Sequence, residues 1–253
     1  MTRVRVGTIR LKWKSGDDER MLEMVRVEGT NERPYSFGEG NDIRPIEVPS
    51  FLIATVPVTQ PLWTHVMGAA NNPSIGRGGP LPVENVSWDD ITRPGGFLDR
   101  MNESDIRTQL AAQVPGGTAF RLPTETEWEY AARGGPHWPD GFRFSGSDDI
   151  DLVAWYDRKS GDCTKEVARK APNQLGLYDM SGNVWEWCQD SFTRDVNAIP
   201  EDGSACAAES PERVLRGGCF HNWAIHCTVS KRYQIERHFH DGCIGFRLVA
   251  SLK

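Results

Sequence analysis

The chain has 253 residues, 38% of them hydrophobic, with 25 glycines, 16 prolines and a net charge of −6. That length can bury a large core, while the acidic balance supplies no basic field for phosphate backbones or anionic lipid, which excludes nucleic acid and membrane surfaces as direct partners. No apolar run reaches the about 20 residues that cross a bilayer, and the opening Met1-Thr2-Arg3-Val4-Arg5-Val6 lacks the apolar stretch of a secretory signal, so a cytoplasmic location is expected.

Residues 4–11 alternate and read as an edge strand, and residues 24–27 as a second. Residues 47–59 suggest a strand leading into a helix over 60–67, with Thr59 as its cap and Pro61 early, where the missing N–H costs little. A helix is expected over 89–101, interrupted at Arg93-Pro94-Gly95-Gly96 because proline and paired glycines break the hydrogen-bond ladder. The clearest helix start is Thr124, which forms a capping box with Glu127; its helix ends at Gly134-Gly135. Polar, turn-rich composition over 135–172 predicts long ordered loops, with one strand at Val153-Ala154-Trp155-Tyr156. The nine tryptophans suit irregular chain pinned by large rings. No Cys-x-x-Cys pair occurs among the six cysteines, so a zinc ribbon is excluded and reduced, buried thiols are expected.

At the C-terminal end, Arg216-Gly217-Gly218 and Ile244-Gly245-Phe246-Arg247 bracket twenty-five residues, 219–243, that follow no ordinary core or turn pattern. These hold four of the six histidines, three of the six cysteines, and the aromatics Phe220, Trp223, Tyr233 and Phe239. The brackets read as structural and the interior as a binding surface. Tyr233 and Ile235 read equally well as strand residues, Ile235 in the core and Tyr233 at its rim. Exposing Trp223, Ile225, Ile235 and Phe239 together, however, makes an apolar patch that monomers rarely carry without a partner. A rival uses the histidines: on a strand, His238 and His240 would share one face, and with His221 or His226 and the Asp241 carboxylate they would suit zinc, copper or iron.

Four ordered stretches carry a family resemblance: Pro82-Val83-Glu84-Asn85-Val86-Ser87-Trp88, the run from Phe120-Arg121-Leu122-Pro123 to Gly134-Gly135, the run from Pro172-Asn173-Gln174 through Ser181-Gly182-Asn183-Val184-Trp185-Glu186-Trp187, and the bracket pair. Together the chain resembles the formylglycine-generating-enzyme (sulfatase-modifying factor) superfamily. The resemblance implies an α+β fold of the C-type-lectin-like kind, with small antiparallel sheets, two main helices and much irregular chain, in a single domain over 1–253. Within it, the spacing of the brackets and the place of Cys227 are similar to the variable proteins of diversity-generating retroelements, in which the C-terminal segment, here 216–247, is rewritten to display many binding surfaces.

That resemblance implies a ligand-binding protein without catalysis, whose ligand-facing positions are His221, Asn222, Trp223, Ile225, His226, Tyr233, Ile235, Glu236, Phe239 and Asp241, and whose partner is a macromolecule, expected to be a protein. The enzymes of the superfamily use two cysteines after the Arg-Gly-Gly motif; here the second falls on Cys227 and the first on Asn222, whose hard amide oxygen suits cuprous ion poorly. The alternative is a divergent metal-dependent oxidase using Cys227 with Cys219 or the histidines. The superfamily also implies a structural calcium held by the side chains of Asp179 and Glu186 and the carbonyls of Gly182 and Val184, all oxygen donors that fit a hard cation. Against it stands the reading that Asp179 and Asn183 cap turns and Glu186 pairs with an arginine such as Arg216. No organic cofactor is implied.

Overall fold

The computed structural model describes residues 7–15, 18–31, 33–40, 42–114, 119–157 and 161–252. Alternation at the start of the chain builds a hairpin, β1 (Thr8–Ser15) against β2 (Asp18–Val27), in register Leu11↔Leu22. Residues 8–11 of the strand expected at 4–11 lie in β1, and its residues 4–6 lie outside the described ones. A short hairpin, β3 (Tyr35–Phe37) and β4 (Arg44–Ile46), follows, then β5 (Phe51–Ala54).

Helix α1 (Gln60–Met67) has the expected limits: Thr59 Oγ1 accepts from Leu62 N–H, and proline sits in the first turn. The predicted break at 93–96 separates α2 (Trp88–Thr92), opened by a Ser87/Asp90 capping box, from α3 (Phe97–Glu103). A helix with no counterpart in the sequence reading, α4 (Asp105–Gln113), is capped by Ser104 and buries only Ile106 and Leu110. After β6 (Phe120–Arg121) comes α5 (Glu125–Ala132), with its Thr124/Glu127 box. The strand expected at 153–156 is instead the end of a helical turn, α6 (Ile150–Val153), because Asp149 Oδ1 accepts from Asp151 N–H and starts a helix; Trp155 keeps only an isolated bridge to Gly182. The chain closes with β7 (Trp185–Ser191), β8 (Glu212–Arg216), β9 (Arg232–Glu236), β10 (Ile244–Gly245) and β11 (Val249–Ser251). Helices among the described residues are thus six and short, the longest having nine residues.

Two main sheets result, with orders β1-β2-β5-β11-β6 and β10-β7-β8-β9. Pairing is antiparallel in the first; in the second, β10 meets β7 in parallel, because the chain between them runs through two further strands. Strand period two puts Leu22, Met24, Leu52 and Ala250 into one core with Trp63, Phe97 and Phe246, and Val25, Val27, Phe51 and Val249 into another with Trp128 and Tyr130. Phe246, between the last two strands, lies 5.1 Å edge-on from Phe97, which stacks on Trp63 at 5.1 Å. One end of the C-terminal segment is thereby fixed in the interior.

Candidate functional site

Two arginines form the frame of the site, both without solvent exposure. Arg216, ending β8, donates to Glu125 at 3.2 Å, to Glu129, and to the carbonyls of Ser230 and Val229 at 3.1 and 2.8 Å. Arg247 grips Glu186 through Nε at 2.6 Å and its terminal nitrogen at 2.7 Å, and reaches the carbonyls of Ala54 and Tyr178. Trp128 Nε1 donates to the same Glu186 at 2.7 Å. Every side chain of α5 is buried, so its three glutamates need such partners, Glu127 finding Arg121 at 2.7 Å. The two glycines after Arg216 are required by space and by backbone angle. At Gly217 (φ +95°) a Cβ would stand 3.1 Å from the Trp128 ring; at Gly218 (φ +74°), 2.7 Å from Cys227 Sγ and 2.8 Å from the His226 carbonyl.

Between these anchors the chain turns outward. Trp223 is 71% exposed, Ile225 57%, Tyr233 43% and Phe239 41%. His221, Glu236 and Asp241 are also exposed, while Asn222, His226 and Ile235 are half-buried; none of the ten expected ligand-facing residues is buried. Trp223 and Ile225 lie on a tight 3-10 turn, Ala224–His226, and β9 presents Tyr233 and Ile235 at the edge of the second sheet. Tyr233 stacks on Trp185 at 5.3 Å, and Ile235 leans on the core below. Beside them Arg213 and Arg237 sit over the Trp88 ring at 4.4 and 5.1 Å, a feature not legible in the sequence because residues 88, 213 and 237 meet only in the folded chain. Asn222 is partly structural: its Oδ1 accepts from Cys219 N–H at 3.1 Å, and its own carbonyl accepts from Asp157 N–H.

The histidines do not gather as expected. His238 and His240 follow β9 in a turn rather than a strand, so they share no strand face; His238 pairs with Glu236 at 3.1 Å and His240 Nδ1 lies 2.9 Å from Asn85 Oδ1. Instead, Cys219, His221 and Cys243 bring their donor atoms within 4.8 Å of one another. Asp241 Oδ1 lies 2.8 Å from Cys243 Sγ. The hydrogen bond from Cys243 holds the Cys219 thiol below the ordinary thiol value, while that contact, with burial, pushes the Cys243 thiol up. A cleft of about 210 Å³ adjoins this cluster through Asp241 and Phe220; it also contains Cys163 and the buried Glu84, whose Oε2 has no partner and whose acid is pushed up to about 7, chiefly by burial.

Residues 13–252 match the model of the sulfatase-modifying factor enzyme 1-like domain. The chain belongs to this family. It is 34% identical over 244 residues to the chaperone protein LppX of Paenibacillus barcinonensis, covering 81% of this chain and 80% of that one. It is 30% identical over 198 residues to the formylglycine-generating enzyme of Thermomonospora curvata, covering 69% of this chain and 57% of the enzyme. Among solved structures, Treponema denticola variable protein 1 superposes with a TM-score of 0.76 at 29% identity, over 95% of this chain and 98% of that one. The resemblance to the sulfatase-modifying factor superfamily and to variable proteins therefore holds, as does the lectin-like α+β fold.

The two positions after the Arg-Gly-Gly motif that the resemblance singles out are Asn222 and Cys227. Cys227 is fully buried beside Phe144, Val153 and Tyr156, and burial pushes its thiol far above the ordinary range. It is not one of the Cys219–His221–Cys243 donors, and its burial is that of a structural thiol, the expected reading outside the oxidase alternative. At the calcium position that the resemblance implies, the expected side-chain donors already have protein partners. Both oxygens of Glu186 are held by Arg247, a bidentate pair that already balances its charge, so Glu186 does not fit as a donor to a cation. The partner is Arg247 rather than Arg216. Asp179, at φ +57°, accepts from Ala168 N–H at 2.9 Å and faces the Asn183 amide at 3.4 Å, and burial pushes its acid up to about 6. Gly182 and Val184 lie on the same buried turn.

Proposed function

We propose that this chain is a variable, ligand-binding protein of a diversity-generating retroelement, in which a fixed lectin-like frame presents residues 219–243 to a protein partner. The observation that carries the reading is the contrast of burial: Arg216 and Arg247 have no exposure, while Trp223 and Ile225 between them are 71% and 57% exposed. Trp223, Ile225, Tyr233 and Phe239 supply rigid or apolar anchors, and His221, Glu236 and Asp241 adaptable polar neighbours, the mixture that binding surfaces use. Exposed side chains tolerate replacement, so the exposed positions of the segment can be rewritten without loss of fold, while its buried ones, among them Cys219, Cys227 and Val229, belong to the frame. The likeness to a variable protein over nearly the whole chain supports the same reading.

The reading has no catalytic step. An oxidase of the superfamily type is less well supported, because Asn222 stands at the first cysteine position and the Cys227 thiol is buried. The deciding observation is genomic: a reverse transcriptase beside the gene, a near-copy of the codons for 219–243, and sibling proteins identical outside that segment and divergent within it. Siblings that vary evenly along the chain would overturn the proposal. If the face serves only to join copies of the chain, Trp223→Ser with Phe239→Ser would lower the oligomeric state in sedimentation and leave no binding function to lose.

A further inference from the structure

The two cysteines at opposite ends of the exposed segment meet one histidine in space. Cys219 follows Gly218, Cys243 precedes Ile244, and His221 joins them, the one such triad of donors among the described residues. Hydrogen bonds fix the backbone at both cysteines. Cys219 N–H is held by Asn222 Oδ1 at 3.1 Å, Cys243 N–H by Asp241 Oδ1 at 3.0 Å, and the Cys243 carbonyl accepts from Trp185 N–H at 2.8 Å. Both cysteines are buried and the imidazole is exposed, so an ion could enter from solvent and rest on a dry floor.

Two sulfurs and an imidazole nitrogen form a donor set suited to zinc, whose tetrahedral shell leaves a fourth place for water or a carboxylate. Asp241 lies beside the group rather than in it, hydrogen-bonded to Cys243 Sγ at 2.8 Å, which leaves the fourth place to water, a hard oxygen that favours zinc over cuprous ion.

We propose that Cys219, His221 and Cys243 bind a zinc ion that fastens the first residues of the exposed segment to its last. On binding, two zinc–sulfur bonds and one zinc–nitrogen bond form, both thiol protons pass to solvent, that of Cys243 by way of Asp241, and no oxidation state changes. The ion closes a loop of twenty-five residues and restricts the unfolded chain as a cross-link does. The side chains of Trp223, Ile225, Tyr233 and Phe239 remain outside the coordination shell. The inference does not rest on diversification, but where it holds, Cys219, His221 and Cys243 belong to the fixed frame and His221 is not a ligand-facing position.

The test uses the full chain, purified without a histidine tag in the presence of a reductant, stripped of metal and titrated with cobalt(II) as an optical probe. Stoichiometric cobalt should produce thiolate-to-metal charge-transfer absorption, which zinc then displaces, and zinc should raise the thermal midpoint. His221→Ala, at an exposed position, should weaken zinc by about tenfold or more, a loss of the size that metal-site substitutions cause. Cys243→Ser should remove part of the charge-transfer intensity. Should that variant fail to fold, zinc-dependent protection of Cys219 and Cys243 from alkylation in the unmodified chain gives the second readout. A missing cobalt spectrum, a spectrum indifferent to His221→Ala, or protection that falls on other cysteines would each overturn the proposal.

Discussion

Arg247 is worth more to the molecule than any residue of the exposed face. Its guanidinium neutralises Glu186 where neither has contact with water, so Arg247→Met would strand a carboxylate in the interior. A loss of about 3–5 kcal/mol in urea denaturation is expected, and Arg247→Met with Glu186→Leu should recover part of it. Because the same pair occupies both Glu186 oxygens, a calcium-selective chelator should leave the thermal midpoint unchanged; a drop would mean that Arg247 gives way to an ion. Asp190 sets a pH dependence. It accepts from Glu125 N–H at the start of α5 and from Cys206 N–H, and burial, then the Glu125 charge, pushes its acid up to about 7. The folded protein therefore holds this proton more tightly than the unfolded chain, whose aspartates ionise near about 4. The stabilisation is full below that value and is lost as pH rises through about 7. Urea denaturation at stepped pH should accordingly show the margin of wild type over Asp190→Asn shrinking across this interval.

Elements announced by a cap were legible; elements made by tertiary contact were not. Thr59 and Thr124 located α1 and α5 because a side-chain oxygen on a free N–H is a local signal. Helix α4 escaped because Ser104 opens a stretch with only two buried apolar residues, and 153–156 misled because Trp and Tyr suggest a strand while Asp149 had already started a turn of helix. The brackets of the C-terminal segment were readable from their arginines and glycines; between them Trp223, Ile225, Tyr233 and Phe239 are exposed, whereas Ile235 leans on the core. What no spacing could reveal was that Cys219 and Cys243 meet, since only the parallel pairing of β10 with β7 brings the end of the segment back to its beginning. The same division gives an element-scale expectation. Trp223→Ser and Ile225→Ser should each change stability by less than about 0.5 kcal/mol, whereas Gly218→Ala, forcing a methyl against Cys227 and the His226 carbonyl at positive φ, should cost well over about 1 kcal/mol. Thermal melts of the three variants would separate frame from face.

Over the whole molecule, two sheets and two cores share their parts with the brackets: Phe246 packs into one core and Val249 into the other. The frame thus draws on both ends of the chain, with β2 and β5 near the start and β11 at the close of one sheet. Truncation after residue 247 should therefore yield insoluble protein lacking a cooperative melt, even though every residue of the exposed segment is still present. Strand β11 is flanked on both sides, by β5 and β6, so it is an inner member of its sheet and not a trimming at the margin. If residues 219–243 are rewritten as proposed, a stop codon or slipped reading frame arising there would delete that inner strand, and the faulty copy would not fold. On that proposal, a rewritten stretch placed just ahead of an indispensable strand would let folding itself proofread each new version.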